Sequence, residues 1–247
     1  SSTTAKGVTP PCTTYHPTNS SSTYPQSPLE GAVFPGEYHV LCMMNERQAF
    51  GGGKGWQDRC ASGLSHVLSP AGVAFLVMAV LALRGAGEGG VALGTALAGG
   101  FAFVLVPALV LLVQARSSDT RDVYAPAPAV RRRMLMAGTI CYLTGYVVSE
   151  FFSQSPGLHW SGATFCAAAA AVWGIDRIWK ISIHNTGAGG GAVLLAGLSP
   201  ELWPLWGALP VVVGWARWRR GAHDLAQLAA GAALGGSLAW LLQGWFL

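Results

Sequence analysis

Apolar and polar positions divide this chain into two unlike parts. From Val67 onward, seven apolar segments follow one another, at about 67–84, 91–113, 134–152, 159–179, 186–199, 202–217 and 224–246. Most reach the ~20 residues a helix needs to cross a ~30 Å hydrocarbon core. The fifth and sixth are shorter, and Ser199-Pro200-Glu201 forms a tight break between them. We read these two as short spans joined by a hairpin; one kinked span is the alternative. The pattern predicts an all-α integral membrane protein, a polytopic helical bundle of about six to seven transmembrane helices over residues 63–247.

Residues 1–62 have a different character. The stretch "SSTTAKGVTPPCTTYHPTNSSSTYPQSP" is rich in Ser, Thr and Pro, nearly uncharged and without periodicity. Alone, such an extension is expected to be disordered. An ordered path for it would require a protein partner, because its own apolar content is too small. A Ser-rich, acidic-poor leader is also what an organelle transit peptide leaves behind.

Composition strengthens the membrane reading. Charged residues make up 11% of the 247 and hydrophobic ones 51%, against about 25% charged in ordinary soluble proteins. The net charge is +4. Apolar spans interrupt the arginines, so no continuous basic groove exists and nucleic acid is not an expected partner. Cys141 and Cys166 lie in apolar segments as small packing residues. Cys12, Cys42 and Cys60 lack metal-ligand spacing, and no metal site is expected.

Charge changes the picture once the spans are counted. With seven spans, one side receives the 114–133 loop, the 180–186 turn and the 217–223 turn. That side collects Arg116, Arg121, Arg131, Arg132, Arg133, Lys180, Arg217, Arg219 and Arg220. The positive-inside rule puts it in the cytoplasm or the organellar equivalent. Trp160, Trp203, Trp206 and Trp245 are expected as an aromatic belt at one face, and Trp179, Trp215 and Trp218 at the other. Three polar clusters therefore meet: "RSSDTRDVYAPAPAVRRR", "KISIHNTG" and "ARWRRGAHDLAQ". Histidines facing several cations read as an anion site, with phosphate the expected anion. Gly187, Gly189, Gly190 and Gly191, just beyond the second cluster, are expected to permit close helix packing.

Within the third cluster, His223 and Gln227 are spaced i, i+4 and are expected to share a helix face. The amide oxygen of Gln227 can then fix the imidazole tautomer and leave the other nitrogen free to attack. Arg217 precedes His223 by six residues, within reach of an anion held there. This cluster resembles the third signature of the type 2 phosphatidic acid phosphatases, relatives of the vanadium haloperoxidases. That signature runs Ser-Arg, five residues, His, three residues, Asp; here Ala216-Arg217, His223 and Gln227 fill it. The second signature, Pro-Ser-Gly-His, is matched in part by Ile181-Ser182-Ile183-His184. The first, Lys, six residues, Arg-Pro, is not matched in the 114–133 loop.

The resemblance implies an integral-membrane lipid phosphatase. His223 would attack phosphorus to give a phosphohistidine, and His184 would protonate the leaving oxygen. Arg217 and Lys180 would bind the phosphate with Ser182 as a hydroxyl donor, and Arg121 or Arg131 would complete the cradle. No cofactor is implied, because cations supply the electrostatic work. The substrate would be a phospholipid or polyprenyl phosphate entering from the membrane lipids. Gln227 stands where the family carries an orienting Asp, and a neutral amide orients without stabilising an imidazolium. Asp224, one residue past the histidine, points elsewhere on a helix, while Asp176 and Glu150 are carboxylates the sequence leaves unplaced. The alternative function is a catalytically degenerate family member, a structural subunit of a larger membrane complex that binds lipids or pigments in the former cleft.

Overall fold

The computed structural model describes residues 55–84, 94, 97, 99–117, 128–152 and 155–246. The chain divides into two units, Ser1–Gly53 and Lys54–Leu247, and all described residues belong to the second. The expectations for the extension up to residue 54, and for Arg121, lie outside the described residues. Among the described residues every regular element is helical. Helix α1 (Trp56–Val67) is followed by α2 (Pro70–Arg84) and by a π-helical turn, Phe101–Leu105, that runs into α3 (Val106–Ser117). Then come α4 (Pro128–Phe152), α5 (Pro156–Ile175), α6 (Ile183–Leu198), α7 (Trp203–Arg219) and α8 (Leu225–Phe246). Helix α1 begins ahead of the expected boundary at residue 63, and it packs on α7.

Local chemistry sets the helix ends. Ser155 caps α5, accepting from the Leu158 backbone N–H, with Pro156 in the first turn, where its missing N–H costs nothing. Ser182 caps α6 in the same way through the Asn185 N–H. Between α6 and α7 the chain turns through Ser199 and the short 3-10 turn Pro200–Leu202, and the two helices pack on each other. This is the hairpin expected from Ser199-Pro200-Glu201. At the end of α7, the Gly221 N–H donates to the Trp218 carbonyl and the Ala222 N–H to the Arg217 carbonyl. That paired pattern is a Schellman close, and Gly221 supplies its left-handed residue with φ of 66°.

Helices α6 and α8 form the most extensive contact in the bundle. Glycine makes it possible. A Cβ on Gly235 would stand 2.8 Å from the Gly190 nitrogen, and one on Gly231 would stand 2.7 Å from the Ser182 carbonyl oxygen. A Cβ on Gly189 would run into the Ala232 backbone, and one on Gly191 into the Val73 side chain. Small residues at these positions let two backbones touch, as in membrane helix pairs. Gly187, by contrast, meets only ordinary contact distance at Pro70.

The main core gathers Val73, Val77, Phe103, Leu158, Trp160, Leu194 and Val213. A smaller apolar cluster, Leu135, Val172 and Ile181, lies apart from it. Two of the expected belt tryptophans belong to the interior. Trp160 is fully buried and its Nε1 donates to the Ala239 carbonyl at 2.8 Å. Trp206 is buried with Nε1 on Ser199 Oγ at 2.9 Å. Each indole N–H found a partner inside the protein, which removes the reason to sit at a wet interface. Trp203, Trp245, Trp179, Trp215 and Trp218 are all exposed.

Among the described residues two helical stretches, Ala129–Phe151 and Leu225–Phe246, are long and apolar enough to cross a membrane. The α1–α2 pair, bent by 59°, makes a third if counted as one span. Helix α6 has 16 residues and α7 has 17, which is about 24–26 Å of rise and short of a full hydrocarbon core. Large apolar side chains do cover the outer surfaces of α7 and α8: Val211 is 70% exposed on α7 and Trp240 68% on α8.

Candidate functional site

Five helix ends meet at one end of the bundle. The start of α4 brings Arg131, the end of α5 brings Asp176, and the start of α6 brings Ser182 and His184. The end of α7 brings Arg217, and the approach to α8 brings His223 and Gln227. Specific bonds tie these ends together. The Ser182 N–H donates to the Gln227 carbonyl at 3.4 Å, and Asn185 Nδ2 donates to the Leu228 carbonyl at 2.9 Å. Both bridge α6 to the first turn of α8, across the glycine contact of Gly231 with Ser182 and Thr186. The second and third sequence clusters therefore meet, and Arg131 joins them from the first.

His223 Nδ1 lies 2.7 Å from Gln227 Oε1. Because that oxygen only accepts, Nδ1 carries the proton and Nε2 keeps its lone pair. The expected contact is present, but not by sharing a helix face. Helix α8 begins at Leu225, and Asp224 Oδ1 accepts from the Gln227 N–H at 2.8 Å, so Asp224 is the N-cap and His223 precedes the helix. This corrects the dismissal of Asp224. Its carboxylate sets the first turn of α8 and so aims Gln227 at the histidine. The pattern Asp224-x-x-Gln227 is a capping-box spacing, a signal readable in the sequence.

The site is buried and strongly cationic. Arg217 is 2% exposed, His184 5% and His223 6%. Burial pushes the His223 imidazole down from 6.5 to about 3, the Lys180 and Arg217 charges push the same way, and the Gln227 bond opposes them. His223 is thus neutral at physiological pH. His184 is likewise held well below its ordinary 6.5, first by burial and then by the charges of Arg217, His223, Arg131 and Arg220. The N-terminal turn of α6, with the positive end of its dipole, opens onto the same space.

The remaining candidates fall as follows. Lys180 is exposed at the rim, close enough to act on His223. Ser182 is fully buried and its oxygen accepts from the Asn185 N–H, which leaves its hydroxyl proton to donate. Arg131 Nε and Nη2 donate to Asp176 Oδ1, and Nη2 also to the Ile181 carbonyl, each at 2.8 Å. Asp176 caps the end of α5 and holds Arg131. Glu150 lies at the other end of the bundle, 3.7 Å from His159. Among the described residues no group of three or more His, Cys, Asp or Glu could hold a metal ion. Sequence reasoning missed Asn185, which follows the histidine and ties α6 to α8 while packing on Gly214 of α7.

Comparison with family models, with curated proteins and with solved structures returns no match.

Proposed function

We propose that the protein is a polytopic membrane phosphatase of six to seven spanning helices that hydrolyses a lipid phosphate through a phosphohistidine. The observation that carries this reading is the His223–Gln227 bond at 2.7 Å beside buried Arg217. It leaves a neutral imidazole whose Nε2 keeps its lone pair, with several cations close by. In the first step Nε2 of His223 attacks phosphorus, the bond to the lipid oxygen breaks, and His184 gives that oxygen its proton. Water then attacks the phosphohistidine, His184 takes the water's proton, and the N–P bond breaks. Arg217, Lys180 and Arg220 balance the phosphate oxygens. The bound dianion in turn supplies the countercharge a protonated His184 needs among these cations. Exposed apolar side chains on α7 and α8 suit lipid contact, and the basic end faces the cytoplasm or its organellar equivalent.

One observation favours a second reading. Gln227 is neutral where an orienting carboxylate would also stabilise the cationic phosphohistidine. On this reading the chain is a scaffold subunit that keeps the fold and the lipid contacts and has lost turnover. Purified protein offered phosphatidic acid and prenyl diphosphates separates the two. The phosphatase releases phosphate and loses that release in His223→Ala, whereas the scaffold releases none.

A further inference from the structure

The family resemblance offers Arg121 or Arg131 as a phosphate ligand, but the contacts of Arg131 point into the protein. Two of its three guanidinium nitrogens are engaged, Nε and Nη2 by Asp176 Oδ1 and Nη2 also by the Ile181 carbonyl. Asp176 sits at the C-terminal end of α5, where the helix dipole disfavours a carboxylate. Its side chain is 5% exposed, so it must be paired. Beneath the pair, Leu135 from α4, Val172 from α5 and Ile181 pack together in their own apolar cluster. From the opposite side the Ser182 N–H is held by the Gln227 carbonyl. The Ile181–Ser182 segment is thus gripped at one peptide oxygen and at the following residue's nitrogen, immediately before His184.

We infer that Arg131 and Asp176 are positioning residues: the pair fixes the Ile181–Ser182 segment, and so the approach of His184 to a phosphate at His223, while Arg131 does not ligate phosphate. The inference rests on the phosphatase reading for its role in turnover, but the grip itself is independent of it. The two roles for Arg131 differ in sign at Asp176. A ligand arginine released from Asp176 would be freer and would bind phosphate more tightly. A gripping arginine released from Asp176 loosens the same segment as its own removal does.

The test uses the full chain in lipid nanodiscs, comparing Arg131→Gln, Asp176→Asn and the double variant. Inorganic phosphate binding is measured by calorimetry, and phosphate release from phosphatidic acid is measured alongside. Each single variant should lower kcat by about 10²-fold, the scale of a misplaced catalytic group. KM and phosphate affinity should stay within about threefold of wild type, since binding contacts are untouched. The double variant should be no worse than Arg131→Gln, because both changes break one device. Asp176→Glu, which keeps the charge, should restore most of kcat, and this separates lost positioning from lost folding. Asp176→Asn binding phosphate more tightly while Arg131→Gln binds it more weakly would overturn the inference, as would single losses that multiply in the double variant. Wild-type protein that releases no phosphate overturns the phosphatase reading alone. The grip is then read from ¹⁵N signals of the His184 ring, which should move alike in both single variants; signals left in place overturn it.

Discussion

At one end of the bundle Arg84 meets Glu201, and His159 lies 3.7 Å from Glu150. Arg84 and Glu201 are opposite charges, each about half exposed, and Glu150 is partly exposed beside His159. At the other end Arg217 is buried, Arg131 acts on both His184 and His223, Arg220 acts on His184 and Lys180 on His223, and Asp176 pairs with Arg131. One end pairs opposite charges near the surface; the other gathers cations around two buried histidines. Cations gathered around two buried histidines suit an anion, and this supports the proposed phosphate site.

The comparison can be broken first at the glycine seam that assembles the cationic end. Gly235→Ala should lower stability by about 1–3 kcal/mol through overpacking against α6 and abolish phosphate release. Gly207→Ala, whose Cβ meets nothing within 4 Å, should leave the unfolding midpoint nearly unchanged. Equal midpoints for the two variants would remove the seam from the account.

The next effect concerns the missing carboxylate. Gln227→Asp should raise phosphate release by about tenfold or more, since an acceptor carboxylate stabilises the imidazolium as well as orienting it. The same change should raise His223 from about 3, because an opposite charge favours the protonated form. Histidine ¹⁵N titration checks the shift. A silent Gln227→Asp variant would favour the scaffold.

A smaller effect is the acid response of stability. His223 lies below its ordinary 6.5 in the folded protein, so between about 3 and 6.5 the unfolded chain binds the proton first. Its contribution is full above 6.5 and is lost as pH falls toward 3. His223→Gln should flatten that part of the midpoint-versus-pH curve. Smallest of all, Glu201→Ala at the opposite end should change stability by no more than about 1 kcal/mol, the ordinary range for exposed pairs.

Much of the fold was legible because its signals are local. Where they are described, the apolar segments are helical, Pro200 marked the hairpin, and Gly221 closed α7 where a helix-stop glycine belongs. The His223–Gln227 contact was legible from spacing, although the capping role of Asp224 places His223 ahead of α8. The Arg131–Asp176 grip was not legible, because its partners are 45 residues apart and joined only by packing of α4 on α5. Nor was the burial of Trp160 and Trp206, since indole is equally at home in a core and at an interface. The number of spans stays with the proposal: α6 and α7 are helical as expected but short for a full crossing.

The central claim is that His223 takes up phosphorus within a cationic pocket. Protein in nanodiscs is mixed with phosphatidic acid labelled at phosphorus, quenched in alkali, which preserves phosphohistidine, and mapped by mass spectrometry. The account predicts an alkali-stable, acid-labile label on His223 that vanishes in His223→Ala. Protein that carries no label at His223 while releasing phosphate, or that neither labels nor releases it, would contradict the claim.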